Sequence, residues 1–184
     1  MQRTDLIEDY AFLLYDLLSP EECRAQITAS EAIGYQDAPV TTLSGPQMLP
    51  QIRNNTRVML DNSELASMIY TRLQGFAPPR PLWQPIGLNE RLRYYRYDPG
   101  EAFALHRDGA FIRSPSERSF YTVLIYLNEG FKGGETIVEN TSVRPQTGMA
   151  LVFLHPLLHE GSPLLQGRKY VLRSDLMYQR VGLS

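Results

Sequence analysis

Residues 92–108 read LRYYRYDPGEAFALHRD, and this stretch decides what the chain can be. Leu92 to Tyr97 is rich in tyrosine, which favours a pleated, half-buried surface. Asp98-Pro99-Gly100 is a turn signal, since proline presets φ and glycine accepts positive φ. Ala102 to His106 then reads as a second strand, running into His106-Arg107-Asp108. Residues two apart on a strand share a face, so this imidazole and carboxylate project into one space. Downstream, Ser119 to Leu127, Glu135 to Glu139, Met149 to His155 and Lys169 to Tyr178 repeat the strand composition. Asn128-Glu129-Gly130, Gly133-Gly134, Pro145-Gln146-Thr147-Gly148 and Gln166-Gly167 separate them. Many short strands with such punctuation predict an antiparallel sandwich or barrel.

Upstream the pattern is helical. Ser19-Pro20-Glu21-Glu22 is a capping box with proline at the first helical position, predicting a helix to about Ile33. A second helix follows Asp61-Asn62-Ser63-Glu64, with Leu65, Met68, Ile69 and Leu73 on one apolar stripe. Gln36 to Arg53, with Pro39, Gly45, Pro46 and Pro50, reads as a long loop, and Ala77 to Pro85 as a second proline-rich break. The expected organisation is one α+β domain over residues 1–184. Residues 1–90 supply helical support and a substrate-side loop, and residues 91–180 the β core carrying the site.

The 184 residues suit one full core, and 43% apolar and 21% charged residues are ordinary for a globular chain. A net charge of −2 gives no bulk attraction to nucleic acid or membranes, and neither partner is expected. The single cysteine, Cys23, excludes an internal disulfide and a cysteine-based zinc site. No stretch reads as a signal peptide or a membrane span, so the expected compartment is the cytoplasm. Nothing in the sequence fixes the oligomeric state.

Three histidines are present, His106, His155 and His159. His106 and Asp108 with a third ligand from a distant strand would form a two-histidine, one-carboxylate facial triad, which leaves positions open on Fe(II). Alone, His-x-Asp is a weak signal. Lys169 follows ten positions after His159, and Lys169 and Arg173 share one strand face. Either could pair with the far carboxylate of a dicarboxylic cosubstrate.

In its order and spacing of motifs, Arg93 to Tyr178 resembles the prolyl 4-hydroxylase-like superfamily of Fe(II)- and 2-oxoglutarate-dependent dioxygenases. The matching pieces are Arg96-Tyr97-Asp98-Pro99-Gly100, His106-Arg107-Asp108, Tyr126-Leu127-Asn128, Gly133-Gly134-Glu135-Thr136, Gly148 to Phe153, His159-Glu160-Gly161 and Lys169. Arg53 to Val58 and Leu88 to Arg93 are similar, more loosely, to a subgroup of small oxygenases. The resemblance implies a double-stranded β-helix, or jelly-roll, core. It implies Fe(II) on His106, Asp108 and His159, with His155 left as a core or supporting residue. Lys169 would receive the distal carboxylate of 2-oxoglutarate. Tyr97 and Thr136 would line the cosubstrate pocket, and Arg173 is an extra cation that competes with Lys169 for the anchoring role. Where many relatives carry a cosubstrate-binding tyrosine three residues before the first histidine, this chain has Phe103.

The implied activity is hydroxylation of an unactivated C–H bond of a peptide, amino acid or small molecule, with O2 consumed and succinate and CO2 released. Ascorbate is admitted as an auxiliary reductant. The intact Asp108 favours hydroxylation or desaturation over halogenation, in which relatives replace the carboxylate by a small residue. For the substrate, Arg53, Phe111 and Arg113 are the candidate contacts. The rival reading is a non-enzymatic metal-binding jelly roll, a sensor or ligand-binding module, in which Lys169 would be superfluous. A zinc hydrolase lacks its His-Glu-x-x-His, and a kinase lacks its glycine-rich loop.

Overall fold

A computed structural model describes residues 1–42 and 45–182. The longest strand, Lys169–Arg180, lies in the middle of the main sheet. On one side it pairs antiparallel with Glu117–Tyr126, which pairs in turn with Ala150–Leu154, Ala11–Tyr15 and Gln2–Ile7. On the other side its first half pairs with Arg91–Tyr97 and its second half with Trp83–Leu88. Thr56–Asp61 and the short Gln36–Asp37 continue the sheet beyond Arg91–Tyr97. A smaller sheet holds Thr141–Val143, Thr136–Val138, His159–Gly161 and Phe103–His106, in that order. Among the described residues, these two antiparallel sheets, two further two-stranded pairs and two α-helices make up the α+β architecture.

Strand periodicity divides the core in two. In Ala150–Leu154, which is buried throughout, Ala150, Val152 and Leu154 join one cluster and Leu151 and Phe153 the other. The first cluster meets the helices through Cys23, Leu65, Ile69 and Leu73. The second includes Tyr95, Tyr97, Tyr126, Val138 and Val171, drawing on both sheets. Lys169 and Arg173 therefore fall on the face of Val171, away from the helices.

Helix α1 spans Pro20–Ile33 and helix α2 Ser63–Leu73, as the capping signals predict. Ser19 Oγ accepts from the Glu22 amide at 3.2 Å, and the Glu22 carboxylate accepts from the Ser19 amide at 2.8 Å. Glu22 also meets Arg72 of α2 at 2.6 Å, and that hydrogen bond holds its carboxyl down at about 2. Gly148, at φ 79°, passes so close to Leu18 that an added Cβ would lie 2.0 Å from the Leu18 carbonyl oxygen. No other residue fits there, and this contact fixes the entry to α1 against the core.

Three expectations need correcting. Residues 1–90 give more than helical support: Gln2–Ile7, Ala11–Tyr15, Thr56–Asp61 and Trp83–Leu88 are strands of the main sheet. Ala11–Tyr15 is apolar at every position because it is buried on both faces, and such a run has no readable period. The loop over 36–53 contains short paired segments, Val40–Thr42 with Gly45–Gln47 and Gln36–Asp37 with Thr56–Asp61. Leu43 and Ser44 within it lie outside the described residues. The break over 77–85 ends inside Trp83–Leu88, where Pro85 is tolerated because, among the described strands, that strand pairs with Lys169–Arg180 alone.

Candidate active site

His106 ends one strand of the small sheet and His159 begins its neighbour, and the two are direct cross-strand partners. The ring centroids lie 4.1 Å apart. Asp108 follows just beyond the strand, its amide donating to the His155 carbonyl at 3.0 Å. One ligand atom from each of His106, Asp108 and His159 falls within 4.8 Å of the others.

Hydrogen bonding fixes which nitrogens are free. His106 Nδ1 lies 2.8 Å from the Ala104 carbonyl, and His159 Nδ1 lies 3.0 Å from the Leu157 carbonyl. A carbonyl only accepts, so both Nδ1 atoms carry the proton and both Nε2 atoms present lone pairs. The Nε2 atoms approach the Asp108 carboxylate at 3.8 and 3.5 Å. Burial pushes His106 down to about 4 and lowers His159, so both rings are neutral at pH 7. Burial works to raise the Asp108 carboxyl, but Arg173 and His159, with a hydrogen bond from Thr122, hold it at about 2. Two neutral imidazoles and one ionised carboxylate fit a divalent first-row metal with open positions.

Behind the trio is a supporting chain. Thr122 Oγ1 donates to Asp108 Oδ2 at 2.6 Å and lies 2.9 Å from His155 Nδ1. His155 Nε2 lies 2.7 Å from Ser119 Oγ, which accepts from the Phe111 amide at 2.8 Å. Burial lowers His155 to about 4, leaving a neutral ring that links the two hydroxyls. The other Asp108 oxygen meets Arg173 at 3.0 Å. Burial opposes the Arg173 charge, but Asp108, Tyr95 and Asp175 raise its pKa further.

Deeper in the same pocket lies Lys169, in register with Tyr97 and 97% buried. Its Nζ donates to the Gly134 carbonyl at 2.6 Å and faces the rings of Tyr97 and Tyr126 at 5.2 and 5.6 Å. No carboxylate pairs with it among the described residues, and burial pushes it down to about 7. Thr136 lines this pocket too, accepting from the Tyr126 hydroxyl at 2.8 Å. Phe103, in place of a tyrosine, stacks on His106 with centroids 3.7 Å apart.

The mouth is a separate cavity of about 470 Å³ that shares Tyr95, Phe103, His106, Asp108 and Arg173 with the deeper pocket. Arg53 lines it. Phe111 and Arg113 do not: Arg113 forms ion pairs with Glu90 and Glu117, and its guanidinium lies over the Phe111 ring. The hairpin between Ile112–Ser114 and Glu117–Tyr126 carries both away from the cavity. Sequence reading also misses Thr122, Arg57 and Arg93. No linear signal ties Thr122 to Asp108, whereas Arg57 and Arg93 sit inside the motifs at Arg53 to Val58 and Leu88 to Arg93.

Residues 92–174 match the family model of the 2OG-Fe(II) oxygenase superfamily. Over 182 residues the chain is 29% identical to a prolyl 4-hydroxylase-type protein of Acanthamoeba polyphaga mimivirus, covering 87% of this chain and 71% of that one. It is 28% identical to a PKHD-type hydroxylase of Bordetella pertussis, covering 84% and 72%. A prolyl hydroxylase from Trichoplax adhaerens, solved with a hypoxia inducible factor peptide, shares the fold at TM-score 0.71 and 17% identity, over 92% of this chain and 84% of that one.

The chain is similar to the prolyl 4-hydroxylase-like 2-oxoglutarate and Fe(II) oxygenases, with residues 92–174 carrying the family match. It is a 2-oxoglutarate-dependent dioxygenase, with iron as its metal and 2-oxoglutarate and O2 as cosubstrates. No helix among the described residues is long and apolar enough to cross a membrane.

Proposed function

We propose that this enzyme hydroxylates an unactivated C–H bond of a peptide, amino acid or small molecule, using His106, Asp108 and His159 to hold Fe(II) and Lys169 to anchor 2-oxoglutarate. One observation carries the assignment. Two Nε2 lone pairs and a carboxylate converge at the entrance of a pocket whose depth holds a buried lysine without a carboxylate partner. A buried cation without a counter-charge is costly, and the distal carboxylate of 2-oxoglutarate supplies one. Arg173 lies on the same face but already pairs with Asp108 and Asp175, so Lys169 is the anchor.

When bound, Fe(II) supplies the oxygen-activating chemistry by which 2-oxoglutarate and O2 become succinate and CO2, one oxygen atom entering succinate and the other the substrate. The residues supply position and environment. The Ala104 and Leu157 carbonyls orient the imidazoles, and Thr122 and Arg173 orient the carboxylate. Tyr97, Thr136 and Phe103 wall the cosubstrate pocket, and the aromatic surroundings limit water.

Anaerobic addition of Fe(II) and 2-oxoglutarate tests the assignment through the visible iron-to-2-oxoglutarate charge-transfer band. His159→Ala is expected to abolish the band, and Lys169→Ala to demand far more 2-oxoglutarate to form it. Folded, iron-loaded protein that gives no band would overturn the reading.

A further inference from the structure

Resting on that reading of the site, we propose that the substrate carries a carboxylate, received at the cavity mouth by Arg53 and Arg57. Five arginines line the mouth, Arg53, Arg57, Arg93, Arg107 and Arg173, against one acidic side chain, Asp108. Two of the five are balanced from behind: Asp175 pairs with Arg93 at 3.1 Å and with Arg173 at 3.4 Å. Arg107 turns to the Pro156 carbonyl.

Arg53 and Arg57 have no carboxylate partner among the described residues. Arg53 is 96% buried, and its guanidinium carbon lies 4.3 Å from the Tyr95 ring centre and 4.6 Å from that of Phe103. Its Nε donates to the neutral Asn55 side chain at 2.7 Å, while one terminal nitrogen is buried with no hydrogen-bond partner among the described residues. Arg57 lies on the adjoining strand opposite Tyr95. Burial, and then the neighbouring Arg53 and Arg93 charges, press against its own charge.

Such an arrangement is unfavourable when empty and favourable around an anion. Like charges brought together out of water destabilise one another, and a carboxylate offers paired oxygens to guanidinium donors. The anion is not 2-oxoglutarate, because Arg53 and Arg57 lie outside the deeper pocket that holds Lys169. It belongs to a second molecule entering through the mouth, whose charged group on these arginines would leave its aliphatic part beside His106 and Asp108. The carboxylate could come from a free acid or from an acidic side chain of a peptide, and the two sources separate by experiment.

The test is calorimetric titration of anaerobic protein loaded with Fe(II) and 2-oxoglutarate. The probes are free amino acids with their α-carboxamides, and terminally blocked peptides carrying Glu or Gln at one position. At least one carboxylate probe is expected to bind, with its amide at least tenfold weaker. Arg57→Gln should narrow that gap by about tenfold, and Arg53→Gln should do likewise where it folds. Arg113→Gln, which removes the same charge outside the cavity, should leave the gap intact. Preference among free acids or among blocked peptides identifies the source. Amides binding as well as acids, a gap unchanged in Arg57→Gln, or no carboxylate binding would overturn the proposal. The charge-transfer band separates the two failures: without it the metal and cosubstrate assignment falls, and with it only the carboxylate inference does.

Discussion

The two faces of the main sheet come from the same strands and follow opposite rules. Toward the helices, Leu92, Tyr94, Val123, Ile125, Val152 and Leu172 form one cluster with Leu65, Ile69 and Leu73 of α2. Toward the small sheet, alternate residues of those strands include Tyr95, Tyr97, Lys169 and Arg173. The first face is held by area removed from water and by fit. The second keeps buried charges, some paired within the fold, as Arg173 is with Asp108, and one, Lys169, with no carboxylate partner among the described residues. Stability and function are thus separated by the period-two alternation of single strands, and substitutions should divide accordingly.

The largest effect is expected at Asp108. Asp108→Ala removes the proposed anionic ligand and leaves Arg173 without its Asp108 partner, so turnover should fall more than about 1000-fold, as several kcal/mol of metal-dependent stabilisation disappears. Iron content and single-turnover succinate formation check it. A variant that still binds iron and retains a tenth of the activity would remove Asp108 from the ligand set.

On the opposite face, Ile69→Ala should cost about 2–5 kcal/mol of unfolding free energy, the range for a fully buried aliphatic residue. Denaturant unfolding measures the loss. The affinity of the folded fraction for 2-oxoglutarate should stay the same, and a parallel fall in affinity would show that the faces are coupled.

Lys169 sharpens the contrast through pH. Its pKa is near 7 in the ligand-free fold, against an unfolded value near 10.5. The unfolded chain then binds more protons between those values, so this group's contribution to stability improves as pH rises through that window. Binding a carboxylate needs the protonated amine, so 2-oxoglutarate affinity should fall by up to about tenfold per pH unit above 7. Lys169→Met should lose about 10–100-fold in affinity, the equivalent of one charge-assisted hydrogen bond, and flatten both profiles. Opposite slopes for stability and affinity in the wild type, both absent from the variant, are the signature to seek.

Much of this is legible in the sequence where a local rule applies. The Ser19 and Asn62 caps place both helices, and the strands around His106, Ser119 and Lys169 follow from their composition and turns. Strand alternation by itself puts Lys169 and Arg173 on one face. What stays hidden depends on long-range packing. Gln2–Ile7 is a mostly polar edge strand, and Ala11–Tyr15 an apolar run without alternation, so neither carries a period that declares a strand. Phe111 and Arg113 are close to Asp108 in sequence, which points them at the site, but Arg113 sits in the following hairpin, where it pairs with Glu90 and Glu117 and lies over the Phe111 ring.

Thr122 tests the finest version of the comparison, because nothing in its own strand marks it as part of the site. Thr122 Oγ1 has one proton, and the ionised Asp108 can only accept, so the hydroxyl donates to Oδ2 and must accept from His155 Nδ1. His155 Nε2 is then an acceptor for Ser119 Oγ, which itself accepts from the Phe111 amide. Each hydrogen bond fixes the direction of the next, and the chain ends on the carboxylate oxygen that faces His159 Nε2 at 3.5 Å. Thr122→Val keeps the shape and breaks the chain at that point. The expected result is roughly tenfold weaker Fe(II) binding, at the low end of the range for residues that orient metal ligands. Thr122→Ser should restore most of it, because the hydroxyl rather than the methyl group carries the effect. Equal Fe(II) affinity in the wild type and Thr122→Val would mean that Arg173 and the strand end alone orient Asp108, and that the hydroxyl chain serves only to satisfy a buried histidine.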